Sequence, residues 1–155
     1  MTETVRLPEP EVFLGACAGV RRHLNGFDSS QNNRISNKDF GWHTDIEAAC
    51  AEIAFAKFRG KYWCGAFNTF KGQDVQGFQV RHTQHEEGHL VLYERDSDDD
   101  YFVLVTGTAP VFVPRGYLKG RDAKVDINGY GGSKGRKVWW VPQHALADFV
   151  TLEEN

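Results

Sequence analysis

An alanine-rich segment from Thr44 to Arg59 limits what this chain can fold into more than any other stretch. On a wheel of 3.6 residues per turn, Ile46, Ala49, Cys50, Ile53 and Ala56 share one face, so the segment predicts a helix laid against a core. Thr44 and Glu47 have the spacing of a capping box at its start, and Gly60 supplies a common carboxyl-terminal stop. Alanine adds little bulk, so another backbone or a bound ion can approach such a helix closely. Glu52 sits at the edge of the apolar face, with Ala48, Ala49, Phe55 and Ala56 three and four residues away. No basic side chain on the same helix is placed to pair with it. Spacing alone leaves Glu52 either as a boundary carboxylate reaching into water or as a functional acid.

The residues beyond this helix change to a two-residue period. Tyr62, Trp63, Phe67 and Phe70 alternate loosely over 61–70 and predict a strand packed on the helix. Lys71-Gly72-Gln73-Asp74 and Gly77 supply turn chemistry, and Phe78 to Thr83 reads as a strand. Phe78 and Val80 face one way on it, Gln79 and Arg81 the other. Leu90 to Glu94 and Tyr101 to Thr106 predict two more strands, Val111 to Val113 a short one ended by Pro114, and Val138 to Val141 one carrying two tryptophans. Ahead of the central helix, 8–24 reads as a first helix with Phe13, Cys17, Val20 and Leu24 at helical spacing. Arg21, Arg22 and His23 near its carboxyl end suit the helix dipole or a phosphate contact. Residues 25–39 read as a polar loop and 142–150 as a short closing helix. The expected fold class is α/β (α+β), a central mixed four- to five-stranded sheet flanked by helices.

Length and charge bound the function. With 155 residues and 41% hydrophobic content, one core fills the chain, so a single domain over 1–155 is expected, its centre at about 44–107. No run of 18 apolar residues occurs and the amino terminus lacks a signal-peptide pattern, which points to a cytoplasmic, intracellular protein. A net charge of -3 excludes a polycation drawn to nucleic acid at long range, so any phosphate-binding surface is local. The glycine-rich basic loop at 128–137 offers backbone amides with Lys134, Arg136 and Lys137, without Walker spacing. Cys17, Cys50 and Cys64 form no CxxC pair and are odd in number, so they read as buried small hydrophobes. His82, His85 and His89 would suit zinc only if aligned. With the hairpin-like Glu86-Glu87-Gly88 between them, they read as exposed hairpin histidines. The acidic link Arg95 to Asp100 lacks the glycine and distal glutamate of a calcium loop and reads as a solvated hairpin turn.

Helix glutamate, turn aspartate and a strand polar-x-basic run occur here in the order Glu52, Asp74, Gln79-Val80-Arg81. Over residues 44 to 107 this order resembles the PD-(D/E)XK nuclease superfamily. The resemblance implies a restriction-endonuclease-like core and hydrolysis of phosphodiester bonds, more readily in DNA, to leave a 5′-phosphate. It also implies Mg²⁺ or Mn²⁺ held by Glu52, Asp74, Gln79 and the main-chain carbonyl near Val80. Carried over, Gln79 stands where the family has an acid and Arg81 where it has lysine. Gln79 offers an amide oxygen without charge. Arg81 stays protonated, so it serves to steady charge on the scissile phosphate and not as a base. Lys71, Lys134, Arg136 and Lys137 are the expected grips on the nucleic-acid backbone, and a second copy of the chain would serve to cut two strands. The same departures fit a second expectation, a phage-type, catalytically inactive nuclease-like module that binds nucleic acid or inhibits a host protein. A zinc hydrolase built on His82, His85 and His89 is a third.

Overall fold

The computed structural model describes residues 3–27, 41–65, 73–131 and 137–152, and expectations for Phe67, Phe70, Lys71, Lys134 and Arg136 lie outside them. In order the chain forms β1 (Val5–Arg6), α1 (Glu9–Phe27), α2 (Gly41–Phe58), β2 (Phe78–Thr83), β3 (Leu90–Tyr93), β4 (Tyr101–Thr108), β5 (Val111–Lys119), α3 (Gly120–Ala123), β6 (Gly129–Gly131) and β7 (Lys137–Val141). A four-stranded mixed sheet has the order β1-β5-β4-β2, with β2 parallel to β4 and the other pairs antiparallel. A second, three-stranded antiparallel sheet has the order β3-β7-β6.

Strand β4 explains the layering. From Phe102 to Thr106 every residue is buried, because both faces of the strand are covered. Val103 and Val105 join Cys50, Ala51, Ala54 and Phe55 of α2 in one core, whereas Phe102 and Leu104 join Leu90, Leu92, Trp139 and Val141 in the other. The mixed sheet is therefore covered by α2, with α1 packed outside it, on one face and by the second sheet on the other. The expected mixed α/β class and four-stranded mixed sheet are present; the difference is that the second sheet, not a helix, covers the other face. This layering also corrects the two hairpin turns expected at 86–88 and 95–100. β3 pairs with β7 in the second sheet and not with β2 or β4, so the acidic link crosses between layers.

That link is tied down and not merely solvated. Lys124 Nζ donates to the Asp98 carboxylate at 2.8 Å and to the Asp96 carbonyl, and Arg121 pairs with Asp99. β5 runs on through Pro114 where a short strand was expected. The register with β4 shifts there: Leu104 faces Gly116 and Val105 faces Pro114, so Arg115 is the extra residue of a bulge. In place of a closing helix at 142–150 there are two single 3₁₀ turns, Gln143–Ala145 and Phe149–Leu152.

The two helices pack through small residues. A methyl group added at Gly19 would lie 2.4 Å from Ile46 Cα, and one added at Gly15 would lie 2.6 Å from Cys50 Sγ. The backbones of α1 and α2 thus approach as closely as glycine permits. This reverses the expected face of the first helix: Phe13, Cys17 and Leu24 are exposed, and the Gly15/Ala18/Gly19 stripe is buried. α2 begins one turn before Thr44, and Glu47 caps nothing on its own helix; its buried carboxylate accepts the Ala109 N–H at 2.9 Å. The expected stop is present. Gly60 has φ of 59°, the Lys61 N–H reaches the Ala56 carbonyl at 2.8 Å and the Gly60 N–H reaches the Lys57 carbonyl at 3.1 Å, a Schellman closure. Among the cysteines only Cys50 is buried, its thiol pushed up to about 11 by burial and then by Glu47; Cys17 and Cys64 are exposed.

Candidate functional site

Residues Ala49 to Ala56 of α2 are all buried, because the helix lies between α1 and the mixed sheet. Glu52 is among them at 6% exposure, so it is not a boundary residue in water. A carboxylate that deep needs compensation, and two partners from outside its helix supply it. Arg22 of α1 forms a bidentate pair with it, Nη1 to Oε1 at 2.7 Å and Nη2 to Oε2 at 2.8 Å. Trp63 Nε1 donates to Oε2 at 2.9 Å. Trp63, expected as a core residue of a strand, instead lies in irregular chain just beyond α2 with its indole N–H directed at the acid.

Asp74 approaches the same place from the sheet. It precedes a tight turn, in which the Phe78 N–H bonds the Val75 carbonyl at 2.7 Å and Gly77 has φ of 89°. Among the described residues β2 is an edge strand of the mixed sheet, with β4 on its one paired side. Asp74 Oδ2 accepts the Val80 N–H at 2.8 Å on the other side. The Val80 carbonyl points to the same side, since N–H and C=O of one strand residue share a direction. Burial and then the Glu52 charge push the Asp74 carboxyl up to about 6, against the Val80 hydrogen bond, Arg22 and Arg81. Burial alone would lower the pKa of Arg22. Its hydrogen bond to Glu52 and attraction to Glu52, Asp74 and Asp45 more than offset this and hold it above its ordinary value.

The structure thus brings together Glu52, Asp74 and the Val80 backbone, with Arg22 and Trp63 added. Gln79 and Arg81 lie on the other face of β2 from Phe78 and Val80. Arg81 Nη2 pairs with Asp96 at 2.7 Å and its guanidinium lies over the Phe102 ring, on the second-sheet side. It still acts on Asp74 electrostatically. Lys137 is on β7 and near Asp126, 3.8 Å away, and the Trp139 ring.

The histidines separate, as the turn between them suggests. His85 and His89 are exposed, but His82 is half-buried, and its Nε2 is 2.7 Å from the Gly107 carbonyl. Burial chiefly lowers its pKa. No group of three or more histidine, cysteine or acidic side chains placed to hold a metal ion occurs among the described residues. A cleft of about 460 Å³, bordered by His89, Asp122, Trp140 and His144, contains none of the Glu52 group. No helix among the described residues is long and apolar enough to cross a membrane. Comparison of the chain with protein-family models, curated proteins and solved structures finds no match.

Proposed function

We propose that the protein is a metal-dependent nuclease with a restriction-endonuclease-like core, its centre on the side of β2 away from β4. The observation that carries this reading is the meeting of the buried Glu52 of α2 and the half-buried Asp74 that precedes β2, beside an outward-facing strand backbone. Such an array of carboxylate and carbonyl oxygens is the hard donor set that Mg²⁺ or Mn²⁺ requires. The chain supplies three of these donors, Glu52, Asp74 and the Val80 carbonyl, so its residues fit the ion once Arg22 yields its place on Glu52. When bound, the ion polarises a phosphodiester and lowers the pKa of an attacking water.

The chain's own residues divide the remaining work. Trp63 orients the Glu52 carboxylate, the Val80 N–H orients that of Asp74, and Arg81 contributes positive charge from the far side of β2. Gln79, on the Arg81 face, is at most an outer participant. Nucleic acid, more readily DNA, is the substrate this reading assigns.

One observation favours the inactive, binding module as a second reading: Arg22 already satisfies Glu52 within the chain. Cleavage of single-stranded DNA, duplex DNA and RNA separates the two. The nuclease cuts at least one of them with Mg²⁺ or Mn²⁺, is silent in EDTA, and is silenced by Asp74→Ala. Absence of cutting on every substrate, with nucleic acid still bound in EDTA, establishes the binding module instead.

A further inference from the structure

Arg22 stands where the proposed site needs a cation. Its two terminal nitrogens take both oxygens of Glu52, and it is drawn electrostatically to Asp74 as well. A guanidinium and a divalent ion cannot occupy one carboxylate pair together without strong repulsion. The two partners differ in freedom to move. Glu52 lies in the stretch Ala49 to Ala56 of α2, where every residue is buried, and is anchored separately by Trp63, whereas the Arg22 side chain on α1 is 23% exposed, which gives its head a path toward solvent.

From this geometry we infer that Arg22 is a built-in counter-cation that competes with the divalent ion for Glu52, so that ion binding and the Arg22–Glu52 pair exclude one another. The inference rests on the metal-dependent reading above. It assigns Arg22 a positioning role: in the ion-free protein it prevents Glu52 from being a buried, uncompensated charge, and it raises the ion concentration needed to load the site. Trp63 keeps the carboxylate in place during the exchange.

The test is Mn²⁺ binding to the full chain, followed by calorimetry and by the electron paramagnetic resonance of the free ion. Wild type is compared with Arg22→Met, Arg22→Lys and Asp74→Asn. Arg22→Met is expected to bind Mn²⁺ at least tenfold more tightly than wild type, Arg22→Lys to fall between them, and Asp74→Asn to lose binding. Thermal unfolding supplies a second readout. Arg22→Met should melt lower than wild type in EDTA and recover more than wild type when Mn²⁺ is added, because the ion then compensates Glu52. If Arg22→Met does not fold in EDTA, Arg22→Lys carries the comparison, since it keeps a charge but only a single contact.

Equal or weaker Mn²⁺ binding in both Arg22 variants, with binding still lost in Asp74→Asn, overturns the competition while leaving the metal site standing. Failure of every protein to bind Mn²⁺ overturns the metal-dependent reading and this inference with it.

Discussion

Replacing Asp74 by asparagine should stabilise the ion-free protein at neutral pH. Burial and the nearby Glu52 charge hold the Asp74 carboxyl at about 6, against about 3.9 for an aspartate in an unfolded chain. Between those values the folded state binds more protons than the unfolded state, so stability falls as pH rises. The favourable contribution is complete below pH 4 and is lost as pH passes 6. Roughly two pKa units at about 1.4 kcal/mol each set a ceiling near 3 kcal/mol. Asparagine keeps an oxygen for the Val80 N–H and carries no charge at any pH, so it avoids the loss. Urea unfolding of both proteins in EDTA from pH 4 to 8 measures the difference, because other titrating groups cancel between them. The variant's advantage should grow from near zero at pH 4 to about 2–3 kcal/mol at pH 7.5. A difference that does not change with pH, or a wild type more stable at pH 7.5, would refute the electrostatic account of this residue.

Other perturbations test the surrounding structure. Spacing alone suggests that Glu52→Gln leaves stability intact; the Arg22 pair reverses that, and taking the opposite charge away from a part-buried guanidinium should cost about 2–4 kcal/mol by urea unfolding, with Trp63→Phe costing nearer 1 kcal/mol. Gly19→Ala drives a methyl into the Ile46 backbone and should destabilise by about 1–3 kcal/mol or more. Gly60→Ala meets no atom within 4 Å and should cost only the left-handed backbone penalty of about 1–2 kcal/mol; a Gly19→Ala protein as stable as wild type would count against the close helix contact. Thiol labelling of the native protein should show Cys17 and Cys64 reacting fast and Cys50 reacting only on unfolding.

What could be read from the chain alone was local. The Gly60 stop and the alternation along β2 follow from spacing within a few residues, and the structure has both; the apolar face of α2 is buried as its spacing predicts, but so is the opposite side, Glu52 included. Glu52 and Asp74 were legible as candidates because an acid among alanines and an acid in a turn are local features. Their compensation was not. Arg22 and Glu52 are 30 residues apart on different helices, and no periodicity on either helix announces the pair.

The buried face of α1 differs from the one its apolar residues predict: Phe13, Cys17 and Leu24 have the right period, yet Gly15 and Gly19, also on one face, permit the closer contact. A stripe of small residues facing an alanine-rich partner was the available signal. Layering was hidden for a related reason: consecutive strands joined by short links look like a meander, whereas β3 leaves the first sheet for the second. The unbroken apolar run Phe102 to Val105 signals a strand covered on both faces.

Crystals grown without metal and soaked in Mn²⁺, with anomalous scattering recorded, test the central claim most directly. The account predicts one strong anomalous peak bonded to Asp74, Glu52 and the Val80 carbonyl, at about the 2.0–2.2 Å of a hard divalent ion, with Arg22 turned away from Glu52. An anomalous map empty at that edge at saturating Mn²⁺, with Arg22 still paired to Glu52, would contradict it.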